Sequence, residues 1–429
     1  MTRARYREIL DRLNWPPQQQ EKFREARLRA VLELAALRVP FYQKKLKQHG
    51  ITLRDVKHVR DLTVLPTTTL ADLETDGPSL LVENVAPAPS QACYRPGATP
   101  GSLCVYCSPE EQETLEVVLL RVIERNGLTG HFSSLMILPP NQAPSRTGPL
   151  ARLGLLDRFA HRRRVFLSVY ETTSEHLRWA RQLRPELVGA PLWLLLRMAA
   201  ETLGGKPLGY TPRLLLTWGE SLRSADRATL QQAFGVNPTD VYQAWEFGPL
   251  AAEGPEHDGL RVNFDLAYIE IIRGDRRAGL GETGEVVVTT LCNRTMPLIR
   301  YRLGDLASWK APEKGAPGWP GPTLAGVHGR VGEAVILPTG QYVAARQFEE
   351  CMDQFENVKG YRAVQIQPRK VEVQVVPDTL FCDRTALLIR TKCLELFGHQ
   401  VGVEVRPVKD LPRFEGRRRH TVVCNVAHT

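Results

Sequence analysis

The chain has no apolar stretch approaching the roughly 20 residues needed to cross a bilayer, and its mean hydropathy is -0.25, so a membrane-spanning protein is not expected. Its N-terminus, MTRARYREILDRLNWPP, is basic but lacks the continuous apolar core of a signal peptide, which points to a cytoplasmic protein. Cysteine is sparse: 8 in 429 residues, far below the density of a secreted disulfide scaffold, and reduced thiols are the simplest reading. Cys104 and Cys107 form a lone C-x-x-C inside the strand-like SLCVYC, with no second cysteine pair or paired histidines, and read as structural rather than metal-binding. Neither sign of charge dominates, with 56 basic against 47 acidic residues and a net charge of +9. The basic clumps at residues 161–164 and 417–420 carry no interleaved aromatic or helical readers, so nucleic acid is not an expected partner.

What is present is length, enough for two domains with large interiors. Residues 17–48 place apolar side chains at helical spacing, broken at Pro40 into two amphipathic helices, and the threonines of LPTTTLADL can cap a short helix. From Tyr94 short apolar runs alternate with longer amphipathic ones: LCVYC, a helix from Pro109 to about Asn126, SLMIL, RRVFLSV, a helix from Ser174, LLLTW, and a helix from Ser224. That is the rhythm of strand and crossover helix in a parallel sheet. After Gly259 the β-rich runs LRVNFDLAYIEIIR and EVVVTTL flank a glycine-rich turn, as antiparallel strands do, and residues 311–323 are dense enough in Pro and Gly to be a surface loop. Beyond Gly329, the runs AVIL, RQFEECMDQF, YRAVQI, KVEVQVV, RTALLIRTKCLEL and VGVEVRPV predict a small α+β domain with a four-stranded sheet.

The run Gly284 to Leu291 (GEVVVTTL), followed by Met296 to Asp305 (MPLIRYRLGD), resembles the most specific stretch of the phenylacetate-coenzyme A ligase family. By that resemblance Asp305 accepts hydrogen bonds from both ribose hydroxyls of ATP, a task suited to a carboxylate. Upstream, Leu216 to Ser221 (LTWGES) is similar to the loop whose backbone at Gly219 and Glu220 lies against adenine. Asp240 to Glu246 (DVYQAWE) resembles the family's D-x-Y-G-x-S/T-E motif. The match implies that Asp240 accepts from the adenine amino group, Tyr242 stacks on the purine, and Glu246 holds Mg²⁺ with the triphosphate. Taken singly these residues have plainer readings as a turn aspartate, a core aromatic and a helix-start carboxylate; as an ordered set they favour a nucleotide site. Downstream, Val327 to Glu333 (VHGRVGE) looks like the family's inter-domain hinge, with Arg330 reaching the ribose. The resemblance covers nearly the whole chain.

Three departures lie on the phosphate side. The family's glycine-rich loop SSGTTGKP appears as Arg95 to Ser102 (RPGATPGS), which keeps Thr99 but puts Gly101 at the lysine position and, through Pro100, removes an N–H donor. Trp245 replaces the hydroxyl residue before Glu246, and Arg417, in LPRFEGR, replaces the catalytic lysine. Arg95 and Lys409 are candidate substitute cations. Trp218, Trp245 and residues 141–146 are candidates for the acid pocket.

The expected fold is therefore α/β: a large N-terminal domain with mainly parallel sheets and crossover helices plus a β-rich subdomain, followed by a small mobile C-terminal α+β domain. The expected boundaries are 1–328, including an N-terminal helical segment over about 1–85, and 329–429, with the hinge at about 329–333. The resemblance implies an acid ligase using ATP and Mg²⁺. It would form an acyl adenylate and pass the acyl group to coenzyme A or another thiol or amine, with Glu246 and Arg417 as catalytic groups; it also suggests a homodimer. The alternatives left open are a nucleotide-binding protein descended from such a ligase, and a partial enzyme that takes a preformed activated acyl donor.

Overall fold

The computed structural model describes all residues except 1, 53–54, 57, 87–91, 95–103, 140–160, 312–320, 412–420 and 427–429. The chain forms two compact units: the first comprises Met1–Ile269, Val288–Arg302 and Lys310–Leu324, and the second Glu270–Val287, Leu303–Trp309 and Ala325–Thr429. Among the described residues no helix is long and apolar enough to cross a membrane.

The first unit opens with helices α1 (Arg3–Asp11), α2 (Pro17–Arg38), α3 (Pro40–His49) and α4 (Leu70–Asp76). Pro17 and Pro40 occupy first-turn positions, where a missing N–H costs nothing, and Val39 between the two helices is extended because the proline after it disfavours helix. Thr69 caps α4 through a reciprocal pair with Asp72. After the hairpin β1 (Ala92–Tyr94) and β2 (Cys104–Tyr106) comes α5 (Pro109–Arg125). Ser108 and Glu111 form the same capping box on α5, and Glu111 also accepts from the Thr295 hydroxyl at 2.8 Å.

The central sheet of this unit contains β3 (Phe132–Leu138), β4 (His161–Ser168), β5 (Leu187–Pro191), β6 (Leu214–Trp218), β7 (Thr239–Ala244), β8 (Gly248–Glu253) and β9 (Leu260–Val262). Helices α6 (Thr173–Leu183), α7 (Leu192–Leu203) and α8 (Ser224–Phe234) provide the crossovers. Strands β4, β3, β5, β6 and β7 run parallel in that spatial order, and β8 and β9 continue the sheet antiparallel. β5 and β6 are buried at every position, the continuous apolar pattern of a parallel sheet covered on both faces. Leu135, Ile137, Val188 and Leu215 pack with Leu177, Leu195, Met198 and Leu230 of the crossover helices into one core.

The N-terminal helices are tied to the sheet by ions as well as by apolar packing. Arg121 of α5 donates to both carboxylate oxygens of Asp265 at 2.7 and 3.0 Å, and Arg12 donates to the same group at 3.1 Å. Burial alone would raise the Asp265 carboxyl, but the two guanidinium groups outweigh it and hold it below the usual range.

Further along lie β10 (Ala267–Arg273), β11 (Arg276–Arg277), β12 (Gly284–Thr290), β13 (Tyr301–Trp309) and β14 (Thr323–Arg330), which cross between the units in sequence. The start of β14 pairs antiparallel with β9, at Thr323↔Arg261 and Leu324↔Leu260. Gly284 is required by close approach, because a Cβ there would lie 2.6 Å from the carbonyl oxygen of Ile272. Of the expected loop over 311–323, residues 312–320 lie outside the described residues, and Thr323 already belongs to β14.

In the second unit β15 (Ala334–Ile336) pairs with β16 (Tyr342–Ala344), and α9 (Ala345–Met352), β17 (Val358–Gln367), β18 (Lys370–Pro377), α10 (Asp383–Phe397), β19 (Gly402–Pro407) and β20 (Val422–Cys424) follow. The four-stranded sheet has the order β19-β18-β17-β20. Its membership differs from the sequence reading. The AVIL run forms the separate β15–β16 hairpin, and the fourth place is taken by β20, which pairs parallel with β17. Phe348, Ile389, Cys393 and Phe397 of α9 and α10 cover one face together with Ala363, Val371 and Val373.

Candidate nucleotide site

Two of the motifs meet in the first unit. β6 and β7 pair in parallel with Thr217 opposite Asp240, so Trp218, Gly219 and Glu220 leave the end of one strand beside the start of the other. Ligand sites of open α/β sheets lie at such strand ends. Gly219 has φ +91°, a backbone state that favours glycine, and open space where a Cβ would stand. Trp218 is 7% exposed, and its ring lies against Gly189 of β5, where a Cβ would stand 3.2 Å from Trp218 Cζ3 and 2.7 Å from Met136 Sδ. Tyr242 is 9% exposed within β7. Trp245 and Glu246 occupy the turn between β7 and β8, both half-buried, where Glu246 Oε1 accepts from the Tyr301 hydroxyl at 3.3 Å.

Asp240 stands in an unusual electrostatic setting. Its main-chain N–H donates to Glu253 Oε2 at 3.0 Å, which brings a second carboxylate to its base. Burial and the Glu253 charge push the Asp240 carboxyl up to about 8, against the opposing pull of Arg227. Glu253 takes the opposite course: burial would raise it, but donation from His257 Nδ1 at 3.1 Å and from Arg227 Nη2 at 2.6 Å holds it low. The pair therefore shares one charge at neutral pH, carried by Glu253. Sequence reasoning missed Glu253, Arg227 and His257; Arg227 lies on the preceding helix, Glu253 at the end of the next strand and His257 in the turn after it, and only the fold brings them to Asp240.

The anchor of the PLIRYR run is also visible only in the fold. Arg300 is buried with φ +45°, in the left-handed region that a bulky residue rarely adopts. Its guanidinium donates to the carbonyls of Thr63 and Leu65, and its N–H to the Thr289 hydroxyl at 3.0 Å. Those bonds hold the backbone just before Tyr301, the partner of Glu246.

Asp305 and Arg330 belong to the second unit, on β13 and β14. Arg330 Nε lies 3.2 Å from Asp305 Oδ1, with the carboxylate 13% and the arginine 40% exposed. Nearby, His328 Nε2 and the Ser308 hydroxyl are 2.8 Å apart, and burial, assisted by Arg346, keeps the imidazole below its ordinary value. Sequence reasoning gave neither residue a role. Thr99, Arg95, Gly101, Arg417 and the 141–146 segment lie outside the described residues.

No family model matches the chain. The phenylacetate-coenzyme A ligase of Escherichia coli (strain K12) is 24% identical, over 91% of this chain and 92% of its own length. The protein of the same name from Thermus thermophilus is 23% identical over 68% of this chain and 66% of its own. Among solved structures, an open conformation of 2-hydroxyisobutyryl-CoA ligase in complex with 2-HIB-AMP and CoA has a TM-score of 0.73 at 17% identity, covering 95% of this chain and 92% of that one. The amide bond synthetase McbA from Marinactinospora thermotolerans has a TM-score of 0.53 at 17% identity, covering 76% and 66%. The structures establish a shared fold. Along nearly its whole length this chain is therefore similar in sequence to phenylacetate-coenzyme A ligase and in fold to 2-hydroxyisobutyryl-CoA ligase.

Proposed function

We propose that this chain is an ATP-dependent acid ligase. A carboxylate oxygen of an aryl or hetero-substituted acid attacks the α-phosphorus of ATP and expels pyrophosphate. The sulfur of coenzyme A, or another thiol or amine, then attacks the acyl carbon, releasing AMP and a proton. The observation that carries this reading is the relationship to phenylacetate-coenzyme A ligase over 91% of the chain. The end of β6 beside the start of β7, with Gly219 at positive φ, supports it as a place for a purine.

In this reading Gly219 and Glu220 lie against adenine and Tyr242 stacks on it. Asp240, protonated at neutral pH, can donate to a ring nitrogen as well as accept from the amino group. Asp305, already oriented by Arg330, receives the ribose hydroxyls. Trp218 and Trp245 border the acid. The segments bearing Thr99 and Arg417 are proposed for phosphate contact, and residues 329–333 for a hinge between half-reactions. A cytoplasmic setting fits these small-molecule substrates.

Magnesium fits the donor set. Among the described residues no group of three or more His, Cys, Asp or Glu could cage a metal, whereas Mg²⁺ in nucleotide sites takes one or two carboxylates plus phosphate and water. Glu246, a hard oxygen donor in a half-exposed turn, would hold it, and the ion would neutralise triphosphate charge.

A second reading, a nucleotide-binding protein with decayed phosphate chemistry, is favoured by Gly101 at the lysine position of the phosphate loop and Arg417 at that of the catalytic lysine. The test is to incubate the protein with ATP, Mg²⁺ and a panel of aryl and aliphatic acids, then search by mass spectrometry for acyl-AMP and, after adding coenzyme A, for thioester. The ligase reading expects acyl-AMP from at least one acid class. Tight AMP binding with no adduct from any acid would favour the second reading.

A further inference from the structure

Behind the turn that carries Glu246 lies a buried polar strap. Tyr301 is 2% exposed, its ring centroid stands 6.0 Å from that of Phe247, and its hydroxyl donates to Glu246 Oε1 at 3.3 Å. The backbone on both sides of Tyr301 is held by Thr68, which is fully buried and bridges Tyr301 in parallel register. The Thr68 N–H donates to the Arg300 carbonyl at 2.9 Å, and the Thr68 carbonyl accepts from the Arg302 N–H at 2.8 Å. The Thr68 hydroxyl donates to the Ile299 carbonyl at 2.8 Å and lies 3.3 Å from the hydroxyl of Tyr42 on α3, which accepts from the Ile299 N–H at 2.8 Å. Resting on the assignment of Glu246 to Mg²⁺, we propose that Tyr301 is a positioning residue for that carboxylate, set in place through Thr68 and Tyr42, and that it governs how tightly the chain takes Mg²⁺ with ATP.

Ordinary packing does not call for this arrangement. A core aromatic needs its ring covered, which burial and Phe247 supply. It does not need its flanking backbone clamped residue by residue, or a hydroxyl that ends on a half-exposed carboxylate. Arg300, at φ +45°, turns the chain immediately before Tyr301 in a backbone state that persists only where the surroundings impose it, and such states gather at sites of function.

The hydroxyl can do useful work there. A glutamate in a turn loses rotamer freedom when it takes a metal, and Mg²⁺ demands near-octahedral placement of its oxygens. A fixed donor behind the carboxylate supplies part of that ordering before the ion arrives. One O–H donor does not exhaust a carboxylate, which has about four lone-pair sites. At 3.3 Å the bond is longer than the about 2.7–2.8 Å usual for O–H···O, so it steers the group and leaves its charge for the cation.

The test is calorimetry of ATP binding to the full chain over a series of Mg²⁺ concentrations, without acid so that nothing turns over, beside magnesium-free binding of AMP. Tyr301→Phe keeps the ring against Phe247. It should leave AMP affinity unchanged while raising the Mg²⁺ concentration at half effect roughly 10- to 100-fold, the range expected when a group behind a metal ligand is removed. Glu246→Gln should abolish the Mg²⁺ effect, and adding Tyr301→Phe to it should change nothing further, because the hydroxyl then has no metal carboxylate to hold. Thr68→Val, which removes the hydroxyl between Ile299 and Tyr42, should shift the Mg²⁺ requirement in the same direction, and it decides alone if Tyr301→Phe does not fold. An unchanged Mg²⁺ requirement in Tyr301→Phe, or an equal loss of ATP and AMP affinity, would overturn the proposal and leave the ligase reading standing. A wild-type chain that binds AMP but shows no Mg²⁺ effect on ATP would also overturn it, this time by removing the metal role of Glu246 on which it rests.

Discussion

Asp265, buried, and Asp240, half-buried, both lie inside the first unit, and they end in opposite states. Beneath the N-terminal helices Asp265 is matched by Arg121 and Arg12, so its charge is retained and its pKa falls. At the start of β7, desolvation and the Glu253 charge act on Asp240 together, and Arg227, which opposes them, is already committed to Glu253, so the Asp240 pKa rises to about 8. Scaffold charges are paired off, whereas a charge left uncompensated in a fold that could have paired it marks a place kept for something else.

The largest expected effect breaks the paired side. Asp265→Ala leaves two buried guanidinium groups without their shared carboxylate, and loss of one member of a buried pair costs about 3–5 kcal/mol. Chemical denaturation should show that loss, while AMP affinity of the folded fraction stays near wild type. Asp305→Ala should do the reverse. Removing a charged hydrogen-bond partner costs about 1.5–3 kcal/mol, a drop in AMP affinity of roughly 10- to 150-fold, which calorimetry reads directly. Unchanged affinity would remove Asp305 from the site.

The unpaired side carries a pH signature. The folded Asp240 holds its proton to about 8, whereas an ordinary aspartate releases it near 3.8. Between those values the folded state binds the extra proton, so this group's contribution to stability is fully present below about pH 4 and declines as pH rises toward 8. Asp240→Asn cannot ionise and should flatten that decline; a decline identical to wild type would contradict the assignment. The smallest expected effect is that of Glu253→Gln. Removing the neighbouring charge should shift the Asp240 midpoint downward, read as a displaced pH profile of AMP binding, although Arg227 then loses its carboxylate partner.

Much of this was legible in the sequence because it is local. Pro17, Pro40 and Pro109 mark helix starts with their own chemistry, and the ordered runs around Gly219, Asp240 and Asp305 carry their resemblance within a few residues. What was not legible depends on distant partners. Val422–Cys424 is too short for any periodicity, and becomes a strand only because β17 offers a free edge beside it. Asp265 meets Arg12 across 253 positions, and Asp240 meets Glu253 only after the chain turns back through the β7–β8 hairpin. Sequence could therefore name Asp240 for the nucleoside as an acceptor only, because the burial and the Glu253 charge that suppress its ionisation arise in the fold.

The measurement closest to the central claim is exchange of radiolabelled pyrophosphate into ATP, run with the wild-type chain and Asp305→Ala across the acid panel. An acid-activating ligase predicts exchange that requires both Mg²⁺ and a particular class of acid and is lost in the variant. Absence of exchange with every acid, in a protein that still binds AMP and loses that binding in Asp305→Ala, would contradict the ligase account while leaving the nucleotide site intact.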